Sequence, residues 1–441
     1  MPIPVIGSHQ LLLFLCQLGV LLAAALCFGR VCVRLGAPAL VGELCAGVVL
    51  GPSLLGWAAP GLSRWLLPRE ASQFHLLDAA GELGVLLLVG ISGAHLDLKV
   101  VRRHGRTAVL YGAAGLVVPL LAGIAVGFAA PAALAGPKAS DTTVFALFIG
   151  IALAASAIPV IAKTLLEMGL MHRDVGQLIM AAAALDDVAA WLGLSIVSAV
   201  ATTGWHGGAA ARDLAWLVGI VVAAGLLRPV ARRVLRLAAG TGDPNATLAA
   251  VTVMVFAGSA ATQALGFEAI LGAFAVGLVI GSCPEFDPVC LAPLQTVTMA
   301  VLAPLFFATA GLRMDLTGLR QPAVLGAGAL IVAVAVAAKL TGASLGAWLS
   351  RRPRYEALAV GAGLNCRGVV EVVIAMVGLR TGVLSTPGYT VIVLVAIVTS
   401  LMAPPMLRLA VRRLPLSAQE EAREQRWSTT VLSPDPAIRS G

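Results

Sequence analysis

Apolar residues recur along this chain in blocks of about 20, the length a helix needs to cross a bilayer. Short clusters of charge separate the blocks. They cover 11–29, 38–57, 74–95, 107–130, 142–169, 175–203, 214–235, 246–265, 269–282, 290–312, 323–350, 356–379 and 389–409. The pattern predicts an all-α polytopic membrane protein with about thirteen transmembrane helices, the second and ninth being short. Residues 1–413 form the membrane domain in this reading. Residues 414–441 form a short cytoplasmic tail, rich in Ser, Thr and Pro towards its end and expected to be disordered.

Composition agrees. Hydrophobic residues make up 59% of the 441 positions and charged ones 12%, too little polar surface for a soluble chain of this size. The many Gly and Ala residues suit close helix packing. A net charge of +8 raises nucleic acid as a partner, but the basic residues sit in short loops and aromatics are scarce. Their role is to set topology. Arg102, Arg103, Arg232, Arg233, Arg351 and Arg352 end or follow odd-numbered blocks, which places the N-terminus outside and the C-terminus in the cytoplasm of a cell-membrane protein. The first ten residues carry no basic cluster, so the first block reads as a span and not a cleaved leader. The seven cysteines show no CxxC spacing; Cys283 and Cys290 flank one loop.

Three charges break the pattern. Asp186 and Asp187 stand side by side in a stretch, 175–205, that is otherwise uncharged, and Lys339 stands alone in 321–350. A charge at membrane depth costs about 2.5–3.5 kcal/mol on the most lenient scale. These side chains must therefore meet water, an ion or each other. Adjacent residues on a helix point about 100° apart, so one acid faces a cavity while the other meets a partner, for which Lys339 is the natural candidate. Burial and a like charge disfavour an ionised carboxyl, and an ammonium favours it. Such a pair holds an acid poised to trade a proton for a monovalent cation. The plain alternative is a packing salt bridge, for which a single acid would suffice.

Two blocks carry helix breakers at mid-depth: Ser156-Ala157-Ile158-Pro159 in the fifth, and Asn365-Cys366-Arg367-Gly368 in the twelfth. Broken helices are tolerated in a membrane only around a cavity. Five and twelve are corresponding positions if blocks one to six and eight to thirteen form two halves, the mark of an inverted repeat. Ser156 offers a hydroxyl beside the acids, for an ion or for capping. Arg367 and Glu371 share a helical face and pair with each other or reach the broken helix of the other half; a structural role is favoured. His95 reads as interfacial. Glu43, near one membrane face, lines an entrance or snorkels to headgroups.

Gly42-Glu43-Leu44-Cys45-Ala46-Gly47 through Gly51-Pro52-Ser53 resembles the second-span motif of monovalent cation:proton antiporters of the Kef/Nap type. Ser156 to Val160, Leu185-Asp186-Asp187-Val188, Pro304-Leu305-Phe306-Phe307, Lys339-Leu340-Thr341-Gly342 and Asn365 to Glu371 resemble the same family, in order along the chain. The resemblance implies a thirteen-span fold with two broken crossing helices, a mobile core, a dimerisation domain and elevator-like alternating access. It implies that Asp187 carries cation and proton, that Asp186 pairs with Lys339, and that Ser156 lies at the crossover. Asn365, Pro159, Arg367 and Glu371 would support the site. The Asp-Asp pair resembles the electrogenic sodium/proton members. The chain departs at Gly93-Ala94-His95, where relatives often have Gly-Leu-Glu, and its tail is too short for the nucleotide-binding domain of many relatives.

The expected function is secondary antiport of Na⁺ (or K⁺) against H⁺ by a homodimer in the lipid bilayer, with no cofactor and no enzymatic activity. A potassium efflux system needing a separate regulatory subunit is the alternative. An intramembrane aspartyl protease is disfavoured, because its two acids must converge from separate helices to share a proton.

Overall fold

Inside a bilayer an unpaired backbone N–H or C=O has no water to turn to, so a spanning segment closes its hydrogen bonds within itself. In the computed structural model every apolar block is accordingly built from helix, the second, fifth and twelfth from two helices each. The described residues are 7–67, 71–96, 98–137, 142–171, 173–203, 207–284, 286, 288–415 and 420. The helices are α1 (Ser8–Arg34), α2 (Ala39–Leu50), α3 (Leu55–Ala58), α4 (Pro60–Leu66), α5 (Ala71–Ala94), α6 (Leu98–Ala129), α7 (Thr142–Ala154), α8 (Ile158–Glu167) and α9 (Asp174–Thr203). They continue as α10 (Gly207–Ala239), α11 (Pro244–Ala264), α12 (Ala269–Gly281), α13 (Ala292–Val297), α14 (Ala303–Leu312), α15 (Pro322–Leu349), α16 (Arg354–Leu364), α17 (Val369–Thr381) and α18 (Thr386–Val411). Among the described residues the only β-type pairing is a single bridge between Ala135 and Leu384.

Ten segments are long and apolar enough to cross a bilayer, and the pair α16–α17, bent by 48°, makes up to eleven among the described residues. Two expected blocks fall outside that set. Helix α12 is apolar but has 13 residues; α10 has 33 and carries Arg228, Arg232, Arg233 and Arg236 in its last third. Helix ends follow local chemistry. Pro opens α4, α8, α11, α14, α15 and α18, where its missing N–H leaves no bond unmade. Asp243 and Ser385 cap α11 and α18 by accepting from the N–H of Asn245 and Gly388. Gly105 interrupts α6 at φ 49°, ψ −130°, a left-handed conformation suited to glycine. It separates the basic stretch before it from the apolar stretch after it.

Burial sorts the helices. In the apolar window of Thr142–Leu166, 83% of residues are buried, against 22% in α1 and in Asn245–Ala264. The broken segment is thus wrapped by protein, while α1 and α11 present most of their surface outward. Helices α2 and α14 cross backbone to backbone: a Cβ on Gly47 would lie 2.0 Å from Ala308 O, and one on Gly311 2.2 Å from Leu44 O. Such contacts need small residues.

No disulfide joins cysteines among the described residues. Of the tail, residues 414, 415 and 420 are described. The Arg173 guanidinium donates to Leu414 O at 3.3 Å, Pro415 O at 3.0 Å and Glu420 Oε1 at 3.4 Å. Glu420 also accepts from the N–H of Asp174 at 2.8 Å, at the start of α9. The disorder expected of the rest of the tail falls on 416–419 and 421–441, outside the described residues.

Candidate functional site

Helix α7 stops at Ala154, and 155–157 lie outside any helix, with Ala157 extended at φ −126°, ψ 101°. Pro159 then sits in the first turn of α8. Residues 365–368 separate α16 from α17 in the same way. The two breaks meet, the Ala157 N–H donating to Cys366 O at 3.2 Å. Each break leaves carbonyls at one helix end and N–H groups at the next without intrahelical partners.

Two buried cations take up the carbonyls at the end of α7. Arg367 Nη1 donates to Ala152 O at 2.8 Å and Nη2 to Leu153 O at 2.6 Å, while Nη1 also reaches Glu371 Oε1 at 3.1 Å. Lys339 Nζ donates to Ala154 O at 2.7 Å. Positive charge at a helix C-terminus is favoured by the aligned backbone dipoles. Behind them, Ser400 Oγ donates to Arg367 O at 2.5 Å. Arg367 is fully buried and its planar fork serves three acceptors, a geometry an ammonium cannot copy. Arg367→Lys is therefore expected to cost about 2–3 kcal/mol, one or two charge-assisted hydrogen bonds, read as a fall in unfolding midpoint in detergent.

Lys339 has further partners. Its Nζ lies 2.6 Å from Asp186 Oδ2, 2.9 Å from Ser156 Oγ and 3.1 Å from Gly115 O. Four oxygens thus share the three N–H donors of an ammonium. Ser156 Oγ in turn lies 2.8 Å from Asp186 Oδ2 and 2.9 Å from Leu364 O, and its one O–H donates to either. Asp186 and Lys339 are both fully buried. Asp187 turns away from this knot. It lies beside Ile158, at the first turn of α8, where a helix N-terminus favours a carboxylate. Its Oδ1 has no protein partner among the described residues, nor do Asp186 Oδ1 and both amide atoms of the buried Asn365.

Asp187 lines a pocket of about 10 Å³ with Ser92, Pro159, Trp191, Leu88 and Val369, a volume on the order of one water. Leu88, Pro159 and Val369 also line a cavity of about 230 Å³, whose polar lining includes Glu43, Lys163 and Thr164. That cavity holds Pro38 at the start of α2 and so lies towards one end of the bundle. At the opposite end, polar contacts tie the helices together. Arg380, near the end of α17, meets Glu82 of α5 at 3.0 Å and also Glu268 before α12. Glu268 accepts from Ser198 of α9 at 2.7 Å, and Arg313 pairs with Asp78.

The structure thus brings Asp186, Ser156 and Lys339 into one cluster, with Asp187 beside it. It places Arg367 on both partners that the sequence left open, Glu371 and the broken helix of the other half. Asn365 and Pro159 fall within the breaks. His95 is exposed, its Nδ1 2.8 Å from Ile91 O. Glu43 lines the larger cavity. Sequence reasoning missed the carbonyls of Gly115 and Ala154 and the hydroxyl of Ser400. It also missed the contacts of Asp78, Glu82 and Glu268; for the first two, acids inside an apolar block were the available signal. Among the described residues no group of three or more His, Cys, Asp or Glu side chains gathers as a resident metal site.

Residues 20–413 match the model of the family described as sodium/hydrogen exchanger, transmembrane. The chain is 31% identical over 404 residues to the Na(+)/H(+) antiporter NhaS4 of Synechocystis sp., covering 91% of this chain and 97% of that one. It is 32% identical over 388 residues to Cation/H(+) antiporter 20 of Arabidopsis thaliana, covering 83% of this chain and spanning only 45% of that protein's length. The fold is similar to that of the sodium proton antiporter MjNhaP1 from Methanocaldococcus jannaschii, solved at pH 8, with a TM-score of 0.63 at 17% identity over 91% of this chain and 99% of the other. This multi-pass membrane chain belongs to the sodium/hydrogen exchanger family of cation/proton antiporters.

Proposed function

We propose that the chain exchanges a monovalent cation, Na⁺ in preference to K⁺, for protons by alternating access, and that the exchange is electrogenic. The observation that carries this reading is the divergence of the two acids. Asp187 faces a pocket with one oxygen unpartnered, while Asp186 is engaged by Lys339 and Ser156. A dehydrated cation needs several oxygens, and Asp187 Oδ1 with the unpartnered oxygens of Asp186 and Asn365 supplies candidates. A proton arriving at Asp187 neutralises the carboxylate and releases the cation. Negative charge left unpaired at this depth is costly, so protons replace the cation and the site is not left empty and ionised; a second proton, taken up at Asp186 as its pair with Lys339 opens, makes the exchange electrogenic.

Alternating access needs one open and one closed side. The cavity beside Asp187 supports the open side, and the Arg380 contacts to Glu82 and Glu268 support the closed one. A continuous pore, as a channel-like efflux system requires, fits that arrangement less well. By the loop charges, the open side faces the cytoplasm, with the N-terminus outside and the C-terminus inside the cell membrane. The two halves as an inverted repeat, a separate dimerisation domain and a homodimer belong to the same reading.

Purified protein in proteoliposomes provides the test. Proton flux is followed with Na⁺, Li⁺ and K⁺ in turn, with the membrane potential clamped or free. Cation-dependent proton flux that is largest with Na⁺ and slows when charge cannot be compensated is the expected result. Conductance without coupled proton flux overturns it.

A further inference from the structure

The larger cavity reaches the Asp187 pocket through three shared wall residues, Leu88, Pro159 and Val369. Most of its lining is apolar, and Glu43 is its only carboxylate among the described residues. The fold holds this side chain in place. Helix α2 crosses α1 so closely that a Cβ on Gly42 would lie 2.3 Å from Phe28 O. At the same crossing, Gly29 of α1 offers no side chain, and a Cβ there would lie 3.5 Å from Glu43 Cγ and 3.6 Å from Oε1. Glu43 is thus packed against α1 on one side and opens onto the cavity on the other. It is half-buried and makes no ion pair or hydrogen bond among the described residues. Lys163, on the second half of the broken helix, is exposed and lines the same cavity.

A lone carboxylate in a low-dielectric funnel focuses its field along the opening and raises the local concentration of cations. An amine on the same wall opposes it. The geometry points to Glu43 as a positioning residue that draws the transported cation into the cavity and towards Asp187, with Lys163 limiting that attraction. Glu43 does not hold the ion at the exchange site; it sets how often the site is filled from this side. The assignment rests on the antiport reading above and adds to it a residue that acts on apparent affinity alone.

The test uses everted membrane vesicles, with Na⁺ added outside and exchange read from dissipation of an imposed ΔpH. Glu43→Gln is expected to raise the KM for Na⁺ about tenfold, the low end for a focused field, with Vmax unchanged. Glu43→Asp, which keeps the charge, stays near wild type. Lys163→Gln lowers the KM by about threefold, an exposed charge being more screened. Raising ionic strength with choline chloride brings the wild-type KM up towards that of Glu43→Gln, as the Debye length shrinks from about 10 Å at 0.1 M. An unchanged KM in Glu43→Gln overturns the inference, as does an equal defect in Glu43→Asp, which would mark a packing role. Wild-type vesicles that fail to exchange sink the antiport reading itself, and this inference with it. A wild type that exchanges while Glu43→Gln keeps its KM sinks this inference alone.

Discussion

Asp187→Asn is expected to abolish cation-dependent dissipation of ΔpH while the protein still inserts and folds. The substitution keeps the shape of the side chain but removes the group that binds and releases a proton. Proton-transferring side chains are worth about 10²–10⁴-fold in rate, so residual exchange should fall at least about 100-fold, within the noise of a vesicle assay. Stability should not suffer. A buried charge with an unpartnered oxygen is removed, and its desolvation cost goes with it. The measurement is exchange in everted vesicles alongside a thermal unfolding curve in detergent. Normal exchange by a well-expressed Asp187→Asn protein removes the site assignment. Loss of both exchange and folding would mean that Asp187 is structural.

Lys339 is expected to behave in the opposite way. Lys339→Met removes one member of a fully buried pair and leaves Asp186 with only the Ser156 hydroxyl near its engaged oxygen. Breaking such a pair from one side costs about 3–5 kcal/mol, because the surviving charge has no partner. The carbonyls of Gly115 and Ala154 lose their donor as well. The double variant Lys339→Met with Asp186→Asn should recover a large part of that loss, since the orphaned charge is gone. Positive coupling in a double-mutant cycle, on the order of 1–3 kcal/mol between contacting residues, is the quantity to measure in detergent. Additive losses would show that the two side chains do not depend on each other.

The acids, the lysine and the two breaks were legible in the sequence for one reason. Charge and broken backbone are expensive in a membrane, so each stands out against an apolar background. The pairing of Asp186, not Asp187, with Lys339 came from family resemblance; helical geometry said only that the two acids must diverge. The backbone partners were not legible. A carbonyl is the same at every residue, and only the crossing of the chains selects Gly115, Ala152, Leu153 and Ala154. Arg367 shows the limit well. Spacing offered Glu371 four residues on, and the broken helix of the other half was a second choice. The guanidinium has enough donors to serve both. Contacts such as Asp78 with Arg313, 235 residues apart, leave no periodic trace. The number of spans was also less sharp than the pattern suggested, because α12 is short and α10 is basic along its last third.

The crossing of α2 and α14 carries a mechanical consequence. Where Gly47 and Gly311 bring two backbones into contact, neither rod can roll or slip past the other without opening a gap that nothing nearby would fill. The two travel as a single strut. Any reorientation of the broken helices has to be accommodated elsewhere, and Glu43 keeps its station on that strut. A methyl group added at either glycine would work as a wedge, prying apart a seam that has no side chains to yield.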